Sequence, residues 1–242
     1  MNAHDHQASW RHLPVGDLKN VTGTGRCLII APHPDDESLG CGGLIAASVA
    51  AGRPPLVAIL TDGAGSHPGS HAFPPERLRA VRAQEARRAA NLLGLQPNQL
   101  ILLDQPDTRA PREGPGFDAM VDRLLALRPP DCTAILAPWR HDPHCDHEAA
   151  SEIASAVAKL AGVPHIAYPV WGWTLPPLTP VPGRPGPGVR VDIKAFLPAK
   201  RAAIQAHRSQ HGNLISDDPN GFRLPPELLS VFDSRFETFL FT

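Results

Sequence analysis

Between Arg26 and Gly43 the chain reads RCLIIAPHPDDESLGCGG. The apolar run Cys27 to Ala31 has the length of a strand buried on both faces, and it stops at two prolines. Proline cannot extend a strand ladder and biases its predecessor to extended backbone. Pro32 and Pro34 therefore end the strand and hold His33, Asp35, Asp36 and Glu37 at its tip. A buried strand that delivers this many ligand-type side chains to one point needs a reason beyond packing. The following Gly40, Gly42 and Gly43 permit close backbone approach, and a small-residue helix is expected from Leu44 to Ala51.

The same grammar recurs along the chain. Leu56–Thr61 is an apolar run ending in Asp62, Leu100–Leu103 ends in Asp104, and Thr133–Ala137 and Val163–Tyr168 read as further strands. Helical patterns fall between them at about 76–93 and 117–128 and from His147 onward. The resulting βαβαβαβαβ order predicts a Rossmann-like α/β fold: one mostly parallel sheet with helices on both faces. Residues 1–24, with His4, His6 and His12, read as a polar, solvated arm, and 25–242 as a single domain. Residues 169–188 carry seven prolines with Trp171 and Trp173 and read as a long irregular loop. A strand at Val189–Ile193, a helix at 198–210 and an edge or late strand at Arg235–Phe241 complete the chain.

Composition narrows the partners. At 242 residues and 42% apolar content the chain can bury one large core, and a formal net charge of −1 leaves no basic footprint for nucleic acid. A small-molecule partner is expected. Cys27, Cys41, Cys132 and Cys145 form no CxxC pair, which suits a reducing compartment. The N-terminus has no signal-peptide core and no run reaches the length of a membrane span, so a soluble, cytoplasmic protein without membrane partners is expected. Whether the chain self-associates is left open.

A second dense cluster, PWRHDPHCDHEAAS at 138–151, follows the strand ending at Ala137. In open α/β sheets ligands sit beyond the carboxyl ends of the strands, so right-handed winding brings this cluster to the first one. His33, Asp36 and His147 can then supply the three protein ligands of a catalytic metal site. Asp35 is placed to move protons, and His144, one turn before His147, to hydrogen-bond a developing oxyanion. Asp146 either caps the coming helix or orients one of the histidines. Glu37 suits a helix N-terminus, and Asp62 and Asp104 can be ordinary turn residues. Arg82 and Glu85 fall on the apolar arc of their helix, either as a buried bridge or reaching into the site. Trp171 and Trp173 read as packing residues rather than a sugar platform.

These residues also carry a family resemblance. APHPDDESLGCGG resembles the AHPDDE signature of the PIG-L/LmbE-like family of zinc-dependent N-acetylglucosaminyl de-N-acetylases, and His144–His147 (HCDH) resembles its HPDH motif. TDG at 61–63, Arg82 with Glu85 before AANLLG, and AHRSQ at 206–210 are similar to further family patterns, so the likeness spans about 26–210. The resemblance implies His33, Asp36 and His147 as metal ligands, Asp35 as general base and His144 as oxyanion stabiliser. It also implies sugar contacts from Arg82 and Asp104, and His207 of AHRSQ joins Asp146 among supporting or substrate-binding candidates. Zinc is the implied ion, although iron, cobalt or manganese accept the same donors. Cys145 stands where the family has proline; it reads as a small buried side chain rather than a stray ligand.

The activity so implied is removal of an acetyl or other acyl group from an amide nitrogen on an N-acetylglucosamine-type sugar or conjugate. Another metal-dependent ester or amide hydrolase, or a non-catalytic sugar binder, is the alternative. Substrate choice is expected to lie in loops 64–75, 105–116 and 169–188.

Overall fold

The computed structural model describes residues 1–212 and 214–242. Its strands are β1 (Val15–Gly16), β2 (Arg26–Ala31), β3 (Leu56–Thr61), β4 (Leu100–Gln105), β5 (Cys132–Pro138), β6 (His165–Tyr168), β7 (Gly188–Asp192) and β8 (Phe236–Phe241). They join in one sheet of order β1-β7-β8-β6-β5-β2-β3-β4. Every pairing is parallel except those of β8, which runs antiparallel to β6 and β7. The strand at 235–241 is thus interior, not an edge. Its alternation reflects two apolar clusters it touches, with Phe239 in one and Leu240 in the other.

The helices are α1 (Ala3–His12), α2 (Leu18–Thr22), α3 (Asp36–Ala50), α4 (Pro75–Leu92), α5 (Gly114–Leu127), α6 (Cys145–Ala161), α7 (Leu197–Ala206), α8 (Arg208–His211) and α9 (Pro226–Phe232). None of them is long and apolar enough to cross a membrane. Alternate residues of the central strands feed opposite faces: Cys27 and Ile29 of β2 pack in one cluster, Leu28 and Ile30 in the other. Burial on both sides is why β2 reads as a continuous apolar run rather than an alternating one.

After β2 the chain winds outward through β3 and β4, then returns to β5 on the other side of β2. The crevice between the ends of β2 and β5 is a topological switch point, where open α/β sheets place their ligands. Both dense sequence clusters end there.

Two expectations fail on local grounds. The helix after β2 begins at Asp36, eight residues before the expected start, and absorbs all three glycines. They serve packing: a Cβ on Gly40 would lie 2.2 Å from Tyr168 Cδ2, and one on Gly43 2.6 Å from Ile193. The first residues are not a solvated arm either. Trp10 is fully buried, edge-on to Trp139 and Trp173 at 4.8 and 5.0 Å between ring centroids, and β1 extends the sheet. The polar residues of α1 hide one aromatic that needs cover.

Candidate metal centre

Asp35 and Asp36 mark the junction of the β2 tip with α3, and His144 and Cys145 that of the β5 end with α6. The strands pair directly, so the two helix N-termini face one crevice. There Asp36 Oδ2 lies 3.2 Å from His33 Nδ1 and 3.3 Å from His147 Nε2. The far nitrogen of each ring is held by a carboxylate: His33 Nε2 lies 3.0 Å from Asp146 Oδ2, and His147 Nδ1 3.1 Å from Asp142 Oδ2. Carboxylates behind imidazoles fix tautomer and ring orientation, which is how proteins aim histidines at metals. His147 Nε2 is buried without a hydrogen-bond partner among the described residues. A buried, unpartnered imidazole nitrogen beside a carboxylate fits a cation. Ring nitrogens of His33, His144 and His147 also fall within 4.8 Å of one another, as do donor atoms of His33, Asp107, His144 and Asp146.

Asp35 is the helix N-cap, with φ +141°, a conformation rarely adopted by a side-chain-bearing residue. Three contacts enforce it. Arg82 donates to Asp35 Oδ2 at 3.1 Å and to the Pro34 carbonyl at 2.7 Å, and the Asp35 amide donates to Glu37 Oε2 at 3.0 Å. Burial pushes the Asp35 carboxyl up to about 7, against the pull of Arg82, and the neighbouring Asp36 charge adds to the rise. Against the cost of its own burial, His147 and His33 hold Asp36 well below the usual range. Adjacent carboxyls are thus pushed in opposite directions, the charged form favoured at Asp36 and disfavoured at Asp35.

His144 caps α6: its Nδ1 accepts from the Asp146 amide at 3.2 Å, leaving its N–H at Nε2. Burial, with His33 and His147 close by, lowers its affinity for a second proton. A neutral N–H donor therefore lines the cleft, which measures about 180 Å³ and also receives Asp35, Asp36, Arg82 and Asp107.

A family profile described as GlcNAc-PI de-N-acetylase, PIG-L, matches residues 28–158. This chain belongs to the PIG-L family. It is 30% identical to a probable N-acetyl-α-D-glucosaminyl L-malate deacetylase 2 of Bacillus anthracis over 194 residues, covering 78% of this chain and 83% of that one. Among solved structures, a conserved protein from Thermus thermophilus shares 30% identity at a TM-score of 0.58, over 77% of this chain and 80% of that one. The N,N′-diacetylchitobiose deacetylase of Pyrococcus horikoshii has the same fold, with a TM-score of 0.64 at 22% identity over 93% of this chain and 87% of that one.

Other residues of this PIG-L protein sit differently from expectation. Asp104 lies away from the cleft, exposed and paired with Arg79 at 3.2 Å, because β4 runs on to Gln105. Asp107 takes the place at the site, 3.4 Å from His33 Nε2 and bonded to the Gly65 amide. Arg82 and Glu85 do not bridge each other: Arg82 holds Asp35, and Glu85 accepts from the amide and hydroxyl of Ser209. His207 lies beneath the cleft rather than in it, fully buried, with Nε2 3.3 Å from Glu37 Oε1. Glu37 is therefore tied to Asp35 and His207, more than a helix-dipole residue. Asp146 serves His33 and the Thr108 and Ala110 amides. Cys145 is exposed, its thiol turned to the Thr108 carbonyl. The two tryptophans divide: Trp173 packs on Trp10, whereas Trp171 lines the cleft, edge-on to Phe222. All three expected loops reach the cleft, through Gly65 and Ser66, Asp107 and Thr108, and Trp171, and Phe222 and Leu224 add a wall that no motif announced.

Proposed function

We propose that this PIG-L protein is a divalent-metal-dependent deacetylase that hydrolyses the acetamide of an N-acetylglucosamine-type sugar or conjugate. The observation that carries this reading is the meeting of His33 Nδ1, Asp36 Oδ2 and His147 Nε2, with Asp146 and Asp142 behind the rings. Those three residues would hold the ion, and zinc suits two imidazoles and a carboxylate best. When bound, the ion polarises the amide carbonyl as a Lewis acid.

The rest of the chemistry belongs to the chain. Asp35, whose burial raises its affinity for a proton, takes one from the attacking water as the water oxygen bonds to the carbonyl carbon. The Nε2–H of His144 donates to the oxygen that gains negative charge. Asp35 then returns its proton to the nitrogen as the C–N bond breaks, releasing acetate and a free amine. Arg82 and the Glu37 carboxylate keep Asp35 in its strained pose through both transfers. Relatives whose names include a glucosaminyl L-malate deacetylase support an amino-sugar substrate. The four free thiols support a reducing compartment, the cytoplasm.

The test is amine release from N-acetylglucosamine, N,N′-diacetylchitobiose and an N-acetylglucosaminyl conjugate. It is run after chelation and after return of zinc, iron, cobalt or manganese singly. Metal-restored amine release from at least one substrate is expected. A fully metal-loaded protein that releases none would overturn the amino-sugar reading.

A further inference from the structure

Trp171 faces the catalytic cleft, while Trp173 of the same turn lines a separate cavity of about 240 Å³ that shares none of the cleft's residues. Three cations line this cavity, Arg11, Arg190 and Lys200, against one carboxylate, Glu237. That carboxylate is fully engaged: it accepts from Lys200 Nζ at 2.7 Å and from the Gly43 and Leu44 amides. Nothing is left of it to neutralise the arginines. Neither Arg11 nor Arg190 meets a carboxylate among the described residues, so both cations on this wall lack a charge partner.

Aromatic rings hold the cations in place. Arg11 Cζ lies 5.6 Å from the Trp173 ring centre, Arg190 Cζ 5.0 Å from that of Phe236, and Lys200 Nζ 5.4 Å from that of Phe232. Arg190 uses its Nε on the Leu13 carbonyl, and among the described residues its terminal nitrogens donate to no other group. Free guanidinium forks match carboxylate and phosphate oxygens, and the ring walls suit an apolar body attached to them. Local positive charge in a chain of net −1 also concentrates anions.

We propose that this cavity binds a small organic anion, a carboxylate or phosphate carried on an apolar body, independently of the catalytic cleft. The shared chemistry is the anionic group. Phenyl phosphate tests it with an apolar body, phenylacetate with a carboxylate, and inorganic phosphate without any body.

Titration calorimetry on the full-length, metal-loaded protein should give phenyl phosphate a dissociation constant of about 1 mM or tighter, at least about tenfold below that of inorganic phosphate. Arg190→Gln should weaken this about tenfold and leave amine release unchanged. Ser230→Glu, at an exposed position on the cavity wall, should do the same by repulsion without removing any packing. Absence of saturable binding by both organic probes would overturn the proposal. So would equal affinity for phenyl phosphate and inorganic phosphate, or undiminished binding in Ser230→Glu.

Discussion

Asp142 accepts from His147 Nδ1 and from the Val170 and Gly172 amides, so its whole carboxylate serves to point one ring. Asp142→Asn would turn an acceptor into a donor at one of these contacts. Metal affinity should fall about 10- to 100-fold in a chelator competition assay, and unchanged affinity would refute the orienting role. His207 is a different kind of support, reaching Asp35 through Glu37. His207→Gln keeps an N–H for Glu37, whereas His207→Phe keeps only bulk. The Gln variant should retain kcat at least about tenfold better, with metal content equal in both. Equal losses would reduce His207 to packing. His33, Asp35, Asp36, His144 and His147 were legible in the sequence because each motif carries its chemistry within five contiguous residues. Asp107 and the task of Asp142 were not, since each depends on where a loop travels after its strand.

At the scale of elements, α3 is held by what its glycines allow. Tyr168 lies against Gly40 and donates its hydroxyl to the Ile30 carbonyl, locking the helix to the strand that carries the metal-site residues. Gly40→Ala would gain helix propensity of about 1 kcal/mol, yet its Cβ meets the Tyr168 ring at 2.2 Å. Overpacking costs of about 1–3 kcal/mol should win, so denaturant unfolding should show net destabilisation; a stabilised variant would contradict this packing. Strand identities followed from apolar runs, because burial on both faces leaves that mark. The start of α3 did not, because glycine in a sequence signals a loop unless the ring packed against it is known. The break between α7 and α8 at His207 was likewise hidden, its backbone turning to ψ +59° within a helical pattern.

Across the whole molecule, the elements from β2 to β6 and the later β7, α7 and β8 are readable in the sequence, whereas the docking of the N-terminal segment and the place of β8 in the sheet are not. Nothing local shows that α1 docks on the 169–188 segment, or that β8 slots between β6 and β7. Trp10→Ala should therefore cost about 3–5 kcal/mol in equilibrium unfolding, where a solvated arm would cost nothing. In the proposed mechanism the ends of β2 and β5 combine into one hydrolytic centre, with Asp35 moving the proton between water and amine. Asp35→Asn tests it most directly, with bound metal and amine release measured on the same preparation. Retained metal with amine release lowered about 10²- to 10⁴-fold is the expected result. Amine release at the wild-type rate, with metal still bound, would contradict it.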